Sequence, residues 1–428
     1  METLGRISSS CYNFNNDKRT EELWIMTERI TFIHAADLHL DSPFKGFSDV
    51  PEQVFQTMRE STFLAFNQLI ESAIKKRVNF ILLVGDLFDE NKQSLKAQLH
   101  LREAFIRLQQ HDIDVFLSYG NHDYLSGNTY PIQYPDNVHV FESDEVTSLP
   151  YLKENKHMAN VYGFSYVNQD VRENKALQYK ISDEEVPYHI ALLHGTLHGN
   201  QEHDAYAPFR LEDLGREAFD YWALGHIHKS QIVQTNPPVI YPGNIQGRHR
   251  KETGLKGCYY ITLDGGERKY EFLPLQQVEI KEMEIDITSY ETMAKIKEKI
   301  TEEVGQGPGQ RQLIYLNFLS GEEQVEKLGL SERLEELIDI INEILLEQDH
   351  WQYIYEYKLE VIGEASIKVD SYFMEEINRA MQGIDLKETI ESLYRHPQAK
   401  KQVNLADEAE IIERAVRYLT DEMVKKVR

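Results

Sequence analysis

Five times in this chain a short apolar run gives way at once to Asp, Asn, His or Gly. Ile30-Thr31-Phe32-Ile33 leads into His34-Ala35-Ala36-Asp37-Leu38-His39, and Phe80-Ile81-Leu82-Leu83-Val84 leads into Gly85-Asp86-Leu87-Phe88-Asp89. Val115-Phe116-Leu117 precedes Gly120-Asn121-His122-Asp123. His189-Ile190-Ala191-Leu192-Leu193 ends at His194-Gly195, and Trp222-Ala223-Leu224 opens into Gly225-His226-Ile227-His228. Runs of this length, rich in β-branched and aromatic residues, predict buried strands. Each carries its polar chemistry just past its end, where Asp37 and His39, one residue apart, can both point at one cation. Taken singly, none of these clusters is specific: an isolated His in an apolar strand is most often a satisfied core residue, and Asp or Asn beside Gly is most often turn chemistry. His198, His203 and His249 are read in that plain way. Five clusters in sequence, each at a strand end, are not.

The segments between them set the topology. Phe55, Met58, Phe63, Phe66, Leu69, Ile70 and Ile74 predict a long amphipathic helix over 51–77, with Pro51 in its first turn and Asp49 a nearby cap. Leu95, Leu99, Phe105 and Leu108 predict a second over 92–110. Alternating strands and helices place parallel strands in one sheet and gather their C-terminal ends along one edge, where α/β sheets bind ligands. Short strands over 138–141, 160–164, 189–193, 221–224, 231–234 and 259–263 are expected to form a second, largely antiparallel sheet. The fold class is therefore α/β, a two-sheet sandwich flanked by helices. Strands over 279–287, 313–319 and 353–361, with helices over 290–304 and 332–347 and a loop at 305–309, predict a small separate α/β domain. Two amphipathic helices follow over 372–393 and 407–427; Ile411, Ile412, Ala415, Val416, Leu419 and Met423 form one stripe on the second. Residues 1–25 lack helical or strand periodicity and read as disorder. Met26 is expected as the initiator, because Glu21-Glu22 implies purine-rich codons just upstream, and a regulatory tail is the alternative. The expected divisions are thus 1–26, 27–275, 276–368 and 369–428.

Composition narrows the chemistry. With 428 residues, 41% of them hydrophobic, the chain can hold two or three domains with real cores. No apolar stretch approaches the roughly 18 residues that span a bilayer, and the start lacks a signal-peptide core, so a cytoplasmic protein is expected. Cys11 and Cys258 are the only cysteines, which excludes a disulfide framework and a thiolate-ligated zinc. Any metal must be held by Asp, Asn and His. Asp37, His39, Asp86, Asn121, His194, His226 and His228 supply such donors, a set suited to manganese, iron or zinc. The net charge of −25 argues against a broad basic face. It does not exclude a nuclease, since two divalent cations would add four positive charges and a partner could supply more. From residue 276 onward 33 Asp and Glu stand against 19 Lys and Arg, which makes that third a poor surface for bare phosphate contacts.

In order and residue type, the five motifs resemble those of the calcineurin-like metallophosphoesterases. That resemblance implies two divalent cations with Asp86 shared between them, Asp37, His39 and His228 completing one position and Asn121, His194 and His226 the other. Two ions about 3.5–4 Å apart can clamp a phosphodiester. The resemblance further implies that His122 points at the scissile phosphate, to protonate the leaving alkoxide or steady charge, with Asp123 the candidate to orient it. Asp89 is expected to support the residues around Asp86.

Protein phosphatases of this superfamily usually carry Arg after the second motif and Glu after Gly-Asn-His. Here Glu90-Asn91 follow Asp89 and Asp123 follows His122, which points away from phosphoprotein substrates. The opening His34-Ala35-Ala36-Asp37-Leu38-His39-Leu40-Asp41, with Gly85-Asp86-Leu87-Phe88-Asp89, resembles instead the SbcD family of DNA-repair nucleases and its YhaO-type branch, over about 27–274. That implies a manganese-dependent DNA exonuclease and single-strand endonuclease with a small capping domain. It also implies a homodimer through nuclease-domain helices and C-terminal helices that grip an SMC-like coiled-coil ATPase partner. The sequence departs from the family after Tyr241-Pro242-Gly243-Asn244, where Arg248, His249, Arg250 and Lys251 form a basic loop. Arg248, Arg250 and Lys251 are expected to meet DNA phosphates, an ordinary solvated loop being the alternative. A cyclic-nucleotide or small-diester hydrolase would share the ligands but has little need of the capping and tail regions. A non-catalytic scaffold should have lost ligands, and all seven remain.

Overall fold

The computed structural model describes residues 29–47, 49–89, 93–127, 132–198, 206–305 and 309–362. The leader and both C-terminal helices expected above lie outside the described residues. The chain divides into two compact units. The larger runs to Leu319 and resumes over Glu326–Glu360; of the smaller, only Ser320–Val325 and residues 361 and 362 are described.

In chain order the elements are β1 (Ile30–Ala35), α1 (Glu52–Lys76), β2 (Phe80–Val84), α2 (Leu95–Gln109), β3 (Asp114–Ser118), β4 (Val138–Val140), β5 (Thr147–Lys153), β6 (Lys156–Gly163) and β7 (Tyr188–His194). A single turn α3 (Leu211–Leu214) precedes β8 (Tyr221–Gly225), β9 (Gln231–Thr235), β10 (Pro238–Tyr241), β11 (Gly257–Asp264) and β12 (Glu267–Pro274). Then come β13 (Val278–Asp286), α4 (Met293–Gly305), β14 (Arg311–Gly321), α5 (Glu322–Leu328), α6 (Leu330–Leu346) and β15 (Gln352–Ile362).

Two six-stranded sheets, ordered β12-β11-β1-β2-β3-β4 and β5-β6-β7-β8-β10-β9, give the mixed α/β sandwich. Side chains alternate between layers as the two-residue period of a strand requires. Phe80, Leu82 and Val84 of β2 enter the core between the sheets with Ile190, Leu192 and Tyr221, while Ile81 and Leu83 face α1 and α2. The far side of the second sheet buries Ala191, Leu193, Trp222 and Leu224 against Tyr179, Phe209 and Leu214.

Two expectations are corrected. The second sheet is not largely antiparallel: β6, β7, β8 and β10 run parallel, and only its edge strands β5 and β9 are antiparallel. Strands 138–140 and 257–264 belong to the first sheet. The continuous burial of β7 and β8 is the physical sign, because strands covered on both faces pair in parallel through crossovers. In α2, Leu95 and Leu99 do not face the core but are 66% and 43% exposed. Ala97, Leu101, Ala104, Phe105 and Leu108 form the buried stripe, and the helix starts after Ser94, whose hydroxyl accepts from Ala97 N at 3.1 Å.

The third sheet, β13-β14-β15, pairs β13 with β14 in parallel from Val278 opposite Arg311 to Asp286 opposite Leu319. Val278, Ile280, Leu313 and Trp351 share a cluster with Phe44 and Phe47, which precede α1, and with Val54 and Met58 in its first turns.

His34 sits on β1 in the core between the sheets. Its Nε2–H donates to Leu224 O at 3.1 Å and its Nδ1 accepts from the Tyr221 hydroxyl at 2.9 Å. Burial pushes its pKa from 6.5 down to about 3, the Leu224 carbonyl opposing only in part. The unfolded chain therefore binds this proton near pH 6.5 while the native protein resists it until about pH 3. Acidification through that window favours unfolding, at up to about 1.4 kcal/mol per pH unit. His34→Gln should flatten the fall in urea-unfolding free energy between pH 6 and 4 by about that slope; an unchanged slope would show that other groups carry it.

Candidate metal centre

All five motif loops leave strands of the two sheets at one end of the sandwich. The backbone holds them edge to edge: Asp37 N donates to Gly85 O, His39 N to Asp86 O and Leu40 N to Leu87 O, at 3.1, 3.0 and 2.9 Å. Gly85 N reaches Ser118 O at 3.0 Å, and Gly195 N reaches Gly225 O at 3.2 Å. Asp37, His39, Asp86 and His226 have φ of 52°, 42°, 52° and 97°, a region that costs a non-glycine residue about 1–3 kcal/mol. The surroundings enforce it, as where His226 N donates to both carboxylate oxygens of Asp37 at 3.1 Å.

The side chains meet in two groups. Ligand atoms of Asp37, His39 and His228 lie within 4.8 Å of one another, and so do those of Asp86, His194 and His226. Asp86 Oδ2 lies between the groups, 3.8 Å from His39 Nε2 and 3.5 Å from His194 Nε2. Asn121 Oδ1 is 3.1 Å from His194 Nε2 and 3.2 Å from His226 Nδ1.

The hydrogen-bond partners show what these groups demand. His194 Nδ1 faces the Val84 carbonyl at 3.0 Å, which can only accept, so Nε2 presents its lone pair to Asp86 and Asn121 Oδ1. His228 Nδ1 donates to Glu252 Oε1 at 2.6 Å, and His39 Nδ1 lies 3.3 Å from Asp89 Oδ1. The His228 Nε2 lone pair therefore faces His39, whose Nε2 is 3.1 Å away. Converging acceptors repel unless a proton or a cation lies among them, so the donor set and its orientation fit divalent metals. Burial and neighbouring charges shift the titration of these groups in opposite directions. Burial opposes charge on His194, but Asp86 outweighs it and lifts the imidazole to about 9. Burial raises Asp37 to about 8, with Asp86 adding to it, and burial with Arg248 nearby lowers His39 to about 3.

His122 stands half-buried beside the first ligand group, its ring 5.0 Å from that of His39. Its Nδ1–H donates to Asp89 O at 2.8 Å, leaving Nε2 as the ring nitrogen outside that bond, and its backbone N–H donates to Asp86 Oδ1 at 3.0 Å. Asp123, expected to orient this imidazole, does something else. It accepts from Gly120 N at 2.7 Å and Leu87 N at 2.6 Å, tying the second and third motif loops together.

In the basic loop both arginines have carboxylate partners within the protein. Arg248 is largely buried, hydrogen-bonds Asp89 and approaches Glu252 Oε1 at 3.9 Å. Arg250 pairs with Glu356 of β15 at 3.2 Å, and Lys251 is exposed. Glu252 is the residue that sequence reasoning missed: an acid beside a basic run, 24 residues after His228, carries no local signal.

Close glycines make room for His194. A Cβ on Gly225 would lie 2.1 Å from Val84 O and 2.8 Å from His194 Nδ1, the two atoms of that hydrogen bond. Gly225→Ala should therefore destabilise the fold by about 1–3 kcal/mol and displace His194, lowering both melting temperature and bound metal by elemental analysis. Wild-type values for both would mean that the strand ends can shift freely.

Residues 30–230 match the calcineurin-like phosphoesterase family. The chain is 38% identical over 395 residues to an uncharacterized metallophosphoesterase, YhaO, of Bacillus subtilis, covering 91% of this chain and 96% of that one. It is 27% identical over 234 residues to the DNA double-strand break repair protein Mre11 of Sulfurisphaera tokodaii, 52% of this chain and 57% of the relative. To the Archaeoglobus fulgidus protein of the same name it is 24% identical over 367 residues, 77% of this chain and 80% of the relative. The family match opens on β1 and closes just after His228, so it contains every residue of the two ligand groups. With that match and the near full-length likeness to a metallophosphoesterase, the chain belongs to the calcineurin-like phosphoesterases.

Proposed function

We propose that this protein is a two-cation DNA nuclease, hydrolysing phosphodiesters with exonuclease and single-strand endonuclease activity in DNA repair. The observation that carries the substrate class is the reach of the likeness to a protein named for double-strand break repair. At 77% of this chain it exceeds what precedes β13, so it includes part of the β13-β14-β15 region as well as the phosphoesterase core. Asp37, His39 and His228 would hold one cation, Asn121, His194 and His226 the other, and Asp86 both; manganese suits these oxygen and imidazole donors. Bound there, the cations supply Lewis acidity toward a phosphoryl oxygen and the attacking water.

The protein's own groups do the rest. His122, with Nδ1 committed to Asp89 O, keeps Nε2 outside that bond, and a proton held on that atom can pass to the leaving alkoxide. Asp123 fixes the loop that carries His122 by accepting two backbone hydrogen bonds. The exposed Leu64, Leu95 and Leu99 on α1 and α2 support a homodimer through these helices, which a mass measurement in solution would decide. A cytoplasmic complex with an SMC-like coiled-coil ATPase belongs to the same reading, with 369–428 as the gripping segment. Deleting that segment should leave cutting of short single strands intact and abolish co-purification with the ATPase.

The direct test is to incubate end-labelled duplex and single-stranded DNA, and separately a small chromogenic diester, with protein and manganese. Shortened DNA that EDTA prevents is the expected result. Cleavage of the small diester alone would overturn the reading in favour of a small-molecule phosphodiesterase.

A further inference from the structure

The imidazoles of the two ligand groups are anchored differently. His194 rests its Nδ1–H on a neutral backbone carbonyl, Val84 O, at 3.0 Å. His228 rests its own on a carboxylate, Glu252 Oε1, at 2.6 Å, and Asp89 Oδ1 stands 3.3 Å from His39 Nδ1. Hydrogen bonds to an ionised acceptor are roughly twice as strong as neutral ones. They also push electron density toward the far nitrogen and fix the ring's orientation.

Glu252 is itself tightly placed. It is buried, and its Oε2 accepts from Asn244 Nδ2 at 2.8 Å and from Arg248 N at 2.6 Å. The Arg248 guanidinium hydrogen-bonds Asp89 and lies 3.9 Å from Glu252 Oε1. One cation therefore stands between the two carboxylates behind His39 and His228, offsetting their mutual repulsion. Lys256 Nζ closes the arrangement by donating to His228 O at 2.9 Å. The loop is pinned on its other side too, where Gln246 Nε2 donates to Val278 O at 2.7 Å and Gly254 N to Ile280 O at 3.0 Å.

We infer that Glu252, steadied by Arg248, is a positioning residue that orients His228 and strengthens the Asp37–His39–His228 cation position selectively over the Asp86–His194–His226 position. Arg248 is on this view part of an internal brace for one cation position. The inference rests on the two-cation reading of the site.

The test is manganese binding to metal-free, full-length protein by calorimetry, independent of any substrate. Wild type should bind two Mn2+. Glu252→Gln keeps the shape but removes the charge, and should weaken one binding step by about 10–100-fold while leaving the other within about twofold. The weakened step should be the one lost in His228→Gln. Glu252→Asp, which keeps the charge on a shorter stem, should fall between Glu252→Gln and wild type in that same step, and it serves as the test if the glutamine variant does not fold. Equal weakening of both steps together with a lower metal-free melting temperature would reduce Glu252 to a structural role and overturn the inference. Unchanged binding in both variants would overturn it as well. Wild type that binds fewer than two Mn2+ would instead overturn the two-cation reading beneath it.

Discussion

Asp86→Ala is expected to abolish phosphodiester cleavage and to empty both cation positions. Asp86 Oδ2 is the oxygen within 4 Å of imidazoles from both groups, and Oδ1 accepts the His122 backbone N–H. No other described carboxylate stands in that place: Asp37 belongs to one group, and Asp123 spends its oxygens on the Gly120 and Leu87 amides. The variant also removes the charge that holds His194 at about 9, so the freed imidazole returns toward neutrality without gaining a partner for the cation. Lewis-acid assistance is worth several kcal/mol of barrier, which places the loss in kcat/KM at about a thousandfold or more. Elemental analysis beside a rate measurement checks both parts. Two retained metal ions and a wild-type rate would remove Asp86 from its shared position.

His122→Ala should separate chemistry from metal. The side chain's Nδ1 is held by Asp89 O and its ring belongs to neither ligand group, while the contact with Asp86 is made by the backbone N–H that alanine retains. Two metal ions should therefore remain bound. Cleavage should fall by about 10²–10⁴-fold, the usual range for loss of a positioned proton donor. The loss should be smaller for a substrate whose leaving group needs no proton, such as a nitrophenolate. A variant purified without metal would move His122 among the ligands, and an equal loss on both substrates would deny it the role of acid.

The family's ligands could be read from the sequence because their placement is local. Asp37 and His39 follow β1, Asp86 follows β2, and Asn121 follows β3 closely, while His194 ends β7 and His226 follows β8. A strand end fixes where the next few residues go before any long-range contact is known. The long helix α1 was legible for the same reason, its buried positions repeating at helical spacing over 25 residues. In α2 apolar residues also fall outside the buried stripe, and spacing alone does not say which of them meet the sheet. Packing chose Ala97, Leu101 and Phe105 and left Leu95 and Leu99 in solvent.

What a side chain does once it arrives was decided by tertiary structure. Neighbours in sequence, His122 and Asp123, look like a natural pair. Yet the imidazole is held by a carbonyl 33 residues away and the carboxylate by amides of two different loops. Arg248 lies in a basic run that reads as a phosphate-binding surface, but its partner Asp89 is 159 residues distant. Likewise, nothing in β6, β7 and β8 taken separately states that they run parallel; burial on both faces and crossover connections impose it. Residue type and strand-end position therefore determined which chemistry this chain carries. Hydrogen-bond partners and the brace behind His228 were determined only when distant loops were brought to the same edge, because directional bonds depend on long-range register that a linear pattern does not encode.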